Sequence, residues 1–273
     1  MSSLQDINRV VEMIERDAWL DLFAAAPDHV RDGLGLASVA YAGMGLLGCR
    51  ALPITELNRA MAVGIERELL REDLEAAVAW LDANATAWAL QVSPIVRSEI
   101  VRDYTNDVPL VATGTGWAKF VRTDAASTPL RVDAQVTRAD RASAAVFGRT
   151  VANGFGLPAE CADWFATLVD RPSWHCFLAT VDGEAAGGGT MYVRDNAAWL
   201  GITGTLPIYR NRGIQRGLLD ARIKVAVAMG ADIQTDETSQ PKDREDPGFA
   251  SYRNQERVGF RRLYVRPNLK RPQ

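Results

Sequence analysis

The sequence predicts an α/β protein in which one fold unit is used twice. Three observations carry this. Apolar runs of strand character alternate along the chain with helical patterns. In the second half, a strand-like run over 198–206 leads through a basic glycine segment at 209–219 (YRNRGIQRGLL) into a helical pattern over 218–229. Two landmarks also repeat at one spacing. Gln91, in Ala89-Leu90-Gln91-Val92, precedes the turn Gly116-Trp117 by 25 positions, and Gln234, in Asp232-Ile233-Gln234-Thr235, precedes Gly259-Phe260 by 25. Each turn opens a basic strand, so the pairing points to an internal duplication.

The elements follow in order. Residues 7–22 are amphipathic, with Val10, Val11, Ile14 and Trp19 or Leu20 toward a core. Strands are expected at 36–41, 44–53 and 59–65, a helix through 74–81, a strand at 89–92 and a helix at 98–104. The small polar segment 123–129 (TDAASTP) is the best linker and divides the chain into 1–128 and 129–273. A strand at 132–136 opens the second unit. Helices follow at 140–153 and 158–169, with Asp140 and Pro158 near their starts. Residues 175–181 and 184–193 read as a hairpin around Asp182-Gly183. Gly187-Gly188-Gly189 weakens that second strand and marks either a bulge or a close approach of substrate. The tail 261–270, with Arg261, Arg262, Arg266 and Lys270, reads as a solvated edge strand.

Composition narrows the function. Hydrophobic residues make up 47% and charged residues 24%, as in ordinary globular proteins. The net charge of −3 implies no general affinity for nucleic acid. Three cysteines without a close pair fit a reducing compartment, and two histidines give a metal site little to work with. The first residues carry acids and no signal-type apolar segment, and no run approaches the ~18 apolar residues of a membrane span. A cytoplasmic enzyme with no membrane partner is therefore expected.

The basic glycine segment carries the chemistry. Loop N–H groups and a helix N-terminus direct positive charge at an anion. Gly213 removes a Cβ from the approach. Arg210, Arg212 and Arg216 suit a pyrophosphate. A Walker loop would need Lys-Ser/Thr where Arg216-Gly217 stands, and a dinucleotide loop would need a second glycine that this segment lacks.

The segment resembles the acetyl-CoA loop of the GCN5-related N-acetyltransferases (GNAT), written [QR]-x-x-G-x-[GA], with Arg210, Gly213 and Gln215 at the defined positions. Gln215 departs from the usual Gly or Ala, and its side chain is expected to point to solvent. Pro207-Ile208-Tyr209-Arg210 resembles the family's P-x-[YF]-R approach to the loop. Residues 250–260 (ASYRNQERVGF) resemble its late helix and closing G-F turn. The resemblance spans roughly residues 131–266.

The resemblance implies two GNAT-like units, each a mixed central sheet flanked by helices, of which the C-terminal one binds acetyl-CoA. The acyl donor would lie along Thr205, Leu206, Arg210, Asn211, Arg212, Gly213, Ile214, Gln215, Arg216 and Gly217, with no metal. The Leu206 N–H is the candidate oxyanion donor. Thr203 and Thr205 are read equally as ordinary strand residues. The family's usual tyrosine acid is replaced by Gln255, which leaves Tyr252, one turn away, as either the substitute acid or a packed residue. The strand before the loop holds no carboxylate, so Glu237 or Asp236, just past the next strand, is the candidate base. Trp174 is a candidate wall of the acceptor pocket, together with 154–163 and the first half. Residues 66–73 place four acids against two arginines and no glycine where the first unit would have its loop. That unit is expected to have lost its cofactor and to wall the cleft. The expected reaction moves an acetyl group to a small-molecule or peptide amine, in a monomer or homodimer. The alternative is a non-catalytic acyl-CoA sensor.

Overall fold

The computed structural model describes residues 4–124 and 132–272. Most of the expected linker, and the boundary at 128, lie outside them. Twelve strands among the described residues form one mixed sheet. The first half contributes β1 (Leu36–Tyr41), β2 (Met44–Cys49), β3 (Arg59–Met61), β4 (Ala89–Gln91) and β5 (Val111–Arg122). The second contributes β6 (Gln135–Arg138), β7 (Trp174–Val181), β8 (Glu184–Arg194), β9 (Ala197–Trp199), β10 (Thr203–Thr205), β11 (Ile233–Ser239) and β12 (Arg261–Lys270). The spatial order is β1-β2-β3-β4-β12-β5-β11-β9-β8-β7-β6, and β10 also pairs with β8.

The centre of that order, β4-β12-β5-β11, is an exchange. β12 pairs antiparallel with β4, and β5 pairs antiparallel with β11. Each half thus lends its last strand to the strand of the other half that carries Gln91 or Gln234. Gly259 lies at the turn into β12, whereas Gly116 is not at a turn but within β5, at a register shift against β12; their φ of 91° and 79° are left-handed backbone that suits glycine. The tail is therefore not an edge strand. It lies at the middle of the sheet, where Arg266 is completely buried. A row of alternating basic and apolar residues reads the same whether its basic side faces water or buried carboxylates.

Helices cover both faces. Against one face lie α1 (Leu4–Ala24), α2 (Asp28–Leu34), α5 (Ala144–Phe155) and α6 (Cys161–Ala166), sharing a core that includes Leu22, Phe147, Trp164 and Trp199. On the other face, α3 (Arg71–Asn84) and α4 (Glu99–Asp107) pack over the first half. There α7 (Ile214–Ala228) and α8 (Phe249–Arg257) pack over the second. No described helix is long and apolar enough to cross a membrane.

The β7–β8 hairpin turns at Asp182-Gly183, both with positive φ. Its glycine run serves helix packing. A Cβ at Gly188 would meet Val151 and Phe147 of α5, and one at Gly187 or Gly189 would meet Ile214 or Arg222 of α7. A register shift just before them marks a bulge as well.

Candidate functional site

The site begins where two strands part. β9 and β11 run parallel from Ile233↔Ala197 to Thr235↔Trp199, and the Leu200 N–H donates to Thr235 O at 2.8 Å. On the other side, Trp199 faces Tyr192 while Thr203 faces Gly189, so this strand carries one extra residue between them. Ile202 takes a φ of 52° in that bulge. A bulge bends its strand, and here it turns β10 away from β11. The expected single strand over 198–206 is therefore two strands with a kink.

The kink settles which backbone groups face the gap. The Leu206 N–H donates to Ala186 O at 2.9 Å and is spent in the β8 ladder. Pairing alternates along an antiparallel strand, so the N–H and C=O of Thr203 and Thr205 point away from β8, into the gap. Thr205 sits where the donor arm would lie. The Leu206 N–H is therefore not free to serve as an oxyanion donor, and the N–H groups that face the gap are those of Thr203 and Thr205.

Beside the gap, Arg210, Asn211 and Arg212 are exposed on the loop into α7. Gly213 caps α7 with a φ of 79° and no side-chain hydrogen bond, and a Cβ on it would come within 3.2 Å of the Arg216 guanidinium. The Gly217 N–H is bonded to Gly213 O at 3.0 Å, so the N–H groups of Ile214, Gln215 and Arg216 precede the ladder. The Arg212 guanidinium lies 5.7 Å from the Tyr209 ring. Arg210 reaches toward Gly154 O at 3.5 Å. These groups form an anion cradle with glycine at its closest approach, which fits a CoA pyrophosphate. Gln215 does not point to solvent. It donates to Ser251 Oγ and accepts from Asn254 Nδ2, both at 2.8 Å, which ties the loop to α8.

In the first half, the matching helix end at α3 is closed. The Asp73 carboxylate accepts from the Leu70 N–H at 2.8 Å and from Arg67 at 2.9 Å. Glu66, just before it, is held by Arg16 at 2.5 Å. An anion there would meet carboxylates.

A cavity of about 390 Å³ opens from the gap. Gly201, Ile202, Thr203 and the 236–239 segment form one end, with Gln215, Ser251 and Gln255. Phe155, Leu157, Trp164 and Phe165 form another wall, and Trp19, Leu22, Ile54, Glu56, Leu57 and Trp117 complete it from the first half. Trp174 is not among the described lining residues. Its indole donates to Asp21 at 2.6 Å.

Asp236 and Glu237 lie within β11, not past it, and face opposite ways. Asp236 turns toward α7 and α8 and accepts from Gln255 Nε2 at 2.6 Å. Burial raises its pKa to about 7, against the pull of Arg222 and of hydrogen bonds from the Glu237 N–H and Gln255. Arg222 is itself brought down to about 10 by burial.

Glu237 turns toward α1, into a buried cluster. Arg266 reaches Glu12, Glu15 and Glu237, each at 2.8 Å. Arg59 lies 3.3 Å from Glu15 and 3.4 Å from Glu237, and Lys119 binds Glu15 and sits 3.5 Å from Glu237. Burial and the Glu15 charge raise the Glu237 pKa, while the three cations restrain it. Three carboxylates and three cations satisfy one another there, so Glu237 is occupied structurally. The Tyr252 ring packs edge-on against Phe120 at 5.0 Å and is not among the described lining residues. Asp236, Gln255 and Trp117 line the cavity beside Glu237, whereas Tyr252 and Trp174 are not among its described lining residues.

Comparison with known proteins agrees with this geometry. Residues 153–244 match the model of the Acetyltransferase (GNAT) family. No protein with a curated description matches the chain. Among solved structures, a GCN5-related N-acetyltransferase from Kribbella flavida superposes with a TM-score of 0.61 at 12% identity, covering 96% of both chains. One from Sphaerobacter thermophilus gives 0.58 at 15% identity, over 78% of this chain and 72% of that one. A putative GNAT acetyltransferase from Novosphingobium aromaticivorans gives 0.50 at 14% identity, over 93% and 97%. The matched segment runs from the end of α5 through the parted strands and the anion cradle to β11 and beyond, and on these grounds the chain carries an acetyltransferase domain of the GNAT family, in the GNAT fold.

Proposed function

We propose that the protein transfers an acetyl group from acetyl-CoA to the amine of an acceptor held in the cavity. The observation that carries the reading is the position of Asp236, a buried carboxylate with a pKa of about 7, at the gap between β10 and β11. A base of that pKa is matched to a reaction near neutral pH. A sensor that only bound CoA would have no use for it.

In this reading the cradle from Arg210 to Gly217 holds the donor's pyrophosphate, and the edges of Thr203 and Thr205 pair with its arm. The thioester supplies an electrophilic acyl carbon. Asp236 takes the proton that the amine loses as its nitrogen bonds to that carbon. The Thr203 N–H donates to the oxygen on which charge develops. A thiolate with a pKa of about 8.5 leaves without a dedicated acid, so Tyr252 need not serve as one.

The first half is a second unit of the same kind whose anion site is closed by Asp73, and it walls the acceptor cavity through Trp19, Leu57 and Trp117. Calorimetric titration of acetyl-CoA into the protein and its Gly213→Val variant tests the proposal. Micromolar binding that the variant loses supports it. Absence of binding to the native chain overturns it.

A further inference from the structure

The cavity wall is chemically divided. Trp19 and Leu22 of α1 and Trp164 and Phe165 of α6 form an apolar side, which Trp117, Phe155 and Trp199 extend. The carboxylates lie elsewhere, with Asp236 and Glu237 on β11 and Glu56 on the short turn Thr55–Leu57. No Arg or Lys appears among the described lining residues.

Each part of the wall restricts the occupant. With no cation in the wall, an acceptor bearing a carboxylate or phosphate would be desolvated without a partner. A polyamine carries several cations, and an aminoglycoside several cations and hydroxyls, and the apolar side offers them nothing to bond. Six aromatic side chains, Trp19, Trp117, Trp164, Trp199, Phe155 and Phe165, suit a flat apolar body met at its faces and edges. Asp236, the carboxylate of β11 that lies outside the buried ion cluster, attracts a single cation at the end where the donor's acyl carbon would lie.

Resting on the acetyltransferase reading above, we propose that the acceptor is a monoamine on a short arm from an aromatic body. The ring lies between Trp117, Phe155 and the α1–α6 wall, and the amine reaches the gap beside Thr203. Trp117 and Phe155 are then specificity-determining residues, since they line the cavity and are neither cradle residues nor the base. Both suit substitution. Trp117 is half-buried, and Phe155 is 48% exposed at the rim.

The test is calorimetric titration of the full-length protein with tryptamine, 2-phenylethylamine, spermidine and kanamycin, without acetyl-CoA. The aromatic amines are expected to bind at least tenfold more tightly than spermidine or kanamycin. Trp117→Ala and Phe155→Ala should each weaken tryptamine at least fivefold while leaving acetyl-CoA affinity unchanged. Tighter binding of spermidine or kanamycin, no detectable binding of either aromatic amine, or two variants that bind tryptamine like the native protein would overturn the proposal. Because these titrations omit the donor, their failure beside intact acetyl-CoA binding removes only the acceptor class. Failure of acetyl-CoA binding removes the acetyltransferase reading itself.

Discussion

Gln255 Nε2 donates to Asp236 Oδ2 at 2.6 Å, a bond between α8 and β11 that adjusts the strength of the proposed base. It favours the ionised carboxylate, so it pulls down a pKa that burial has raised to about 7. Asp236 accepts a proton only when ionised. The acetyl-transfer kcat/KM is therefore expected to rise with pH through about 7, and Gln255→Leu should move that limb to higher pH. Asp236→Asn should abolish the limb and lower kcat by about 10²–10⁴-fold, the usual worth of a general base. A limb that stays in place in Gln255→Leu would assign the base to another group.

The same shift bears on stability, with the opposite sign from an ordinary aspartate. The folded chain holds the Asp236 proton up to about pH 7, whereas the unfolded chain releases it near 3.8, as an ordinary aspartate does. The unfolded state therefore binds fewer protons in between, and this group makes stability fall as pH rises from about 4 to 7. Asp236→Asn removes that slope. Relative to the native protein, the variant should gain stability in urea melts on going from pH 4 to pH 8.

At the cradle, Arg212→Glu should weaken acetyl-CoA at least tenfold, because it places a carboxylate beside a pyrophosphate, and the loss should shrink as salt rises. Glu66→Gln should leave acetyl-CoA affinity unchanged, since the α3 end already holds the Asp73 carboxylate. Calorimetry at two salt concentrations reads both. A large loss in Glu66→Gln would place a cofactor in the first half.

How much of this the sequence could say depends on distance along the chain. The cradle was legible because Arg210, Gly213 and the start of α7 act within a few residues of one another. The equal spacing of Gln91 to Gly116 and of Gln234 to Gly259 was legible because each interval spans one helix, α4 or α8, between two strands. That the Leu206 N–H is spent in the β8 ladder could not be read, because the bulge at Gly201-Ile202 shifts register and a bulge leaves no periodic signal. Asp236 and Glu237 could not be told apart because both faces of β11 are buried. The buried cluster joins Glu15 to Arg266 across 251 positions, so each member reads alone as a surface charge.

That cluster has measurable consequences. Arg266→Met leaves Glu12, Glu15 and Glu237 short of a partner and should cost about 3–5 kcal/mol. For a chain of this size that is a fall in Tm on the order of 10 °C. Arg261→Ala, at the exposed start of the same strand, should stay within about 0.5 kcal/mol. Burial acts to raise the Glu15 pKa, but Arg266, Lys119 and Arg59 outweigh it and hold it well below 4.5. Its contribution is present above that value and lost as pH falls through the folded pKa, so Glu15→Gln should flatten the acid limb of the stability profile. Equal melting of Arg266→Met and Arg261→Ala would return β12 to the sheet edge.

The strand exchange makes a prediction about the halves. β5 lies between β11 and β12, and β12 lies between β4 and β5, so each half completes the other's sheet. A fragment ending at 124 would leave the β4 edge bare, and one beginning at 132 would lose the strand that separates β11 from β12. Unpaired edges of this kind aggregate. A protease site introduced between 124 and 132 cuts the chain between the two halves. The cut protein should elute as one species, unfold in a single transition and keep its acetyl-CoA affinity, whereas either fragment expressed alone should fail to unfold cooperatively. Independent, reversible melting of the two fragments would mean that the halves fold as separate domains and that the exchange contributes little to holding them together.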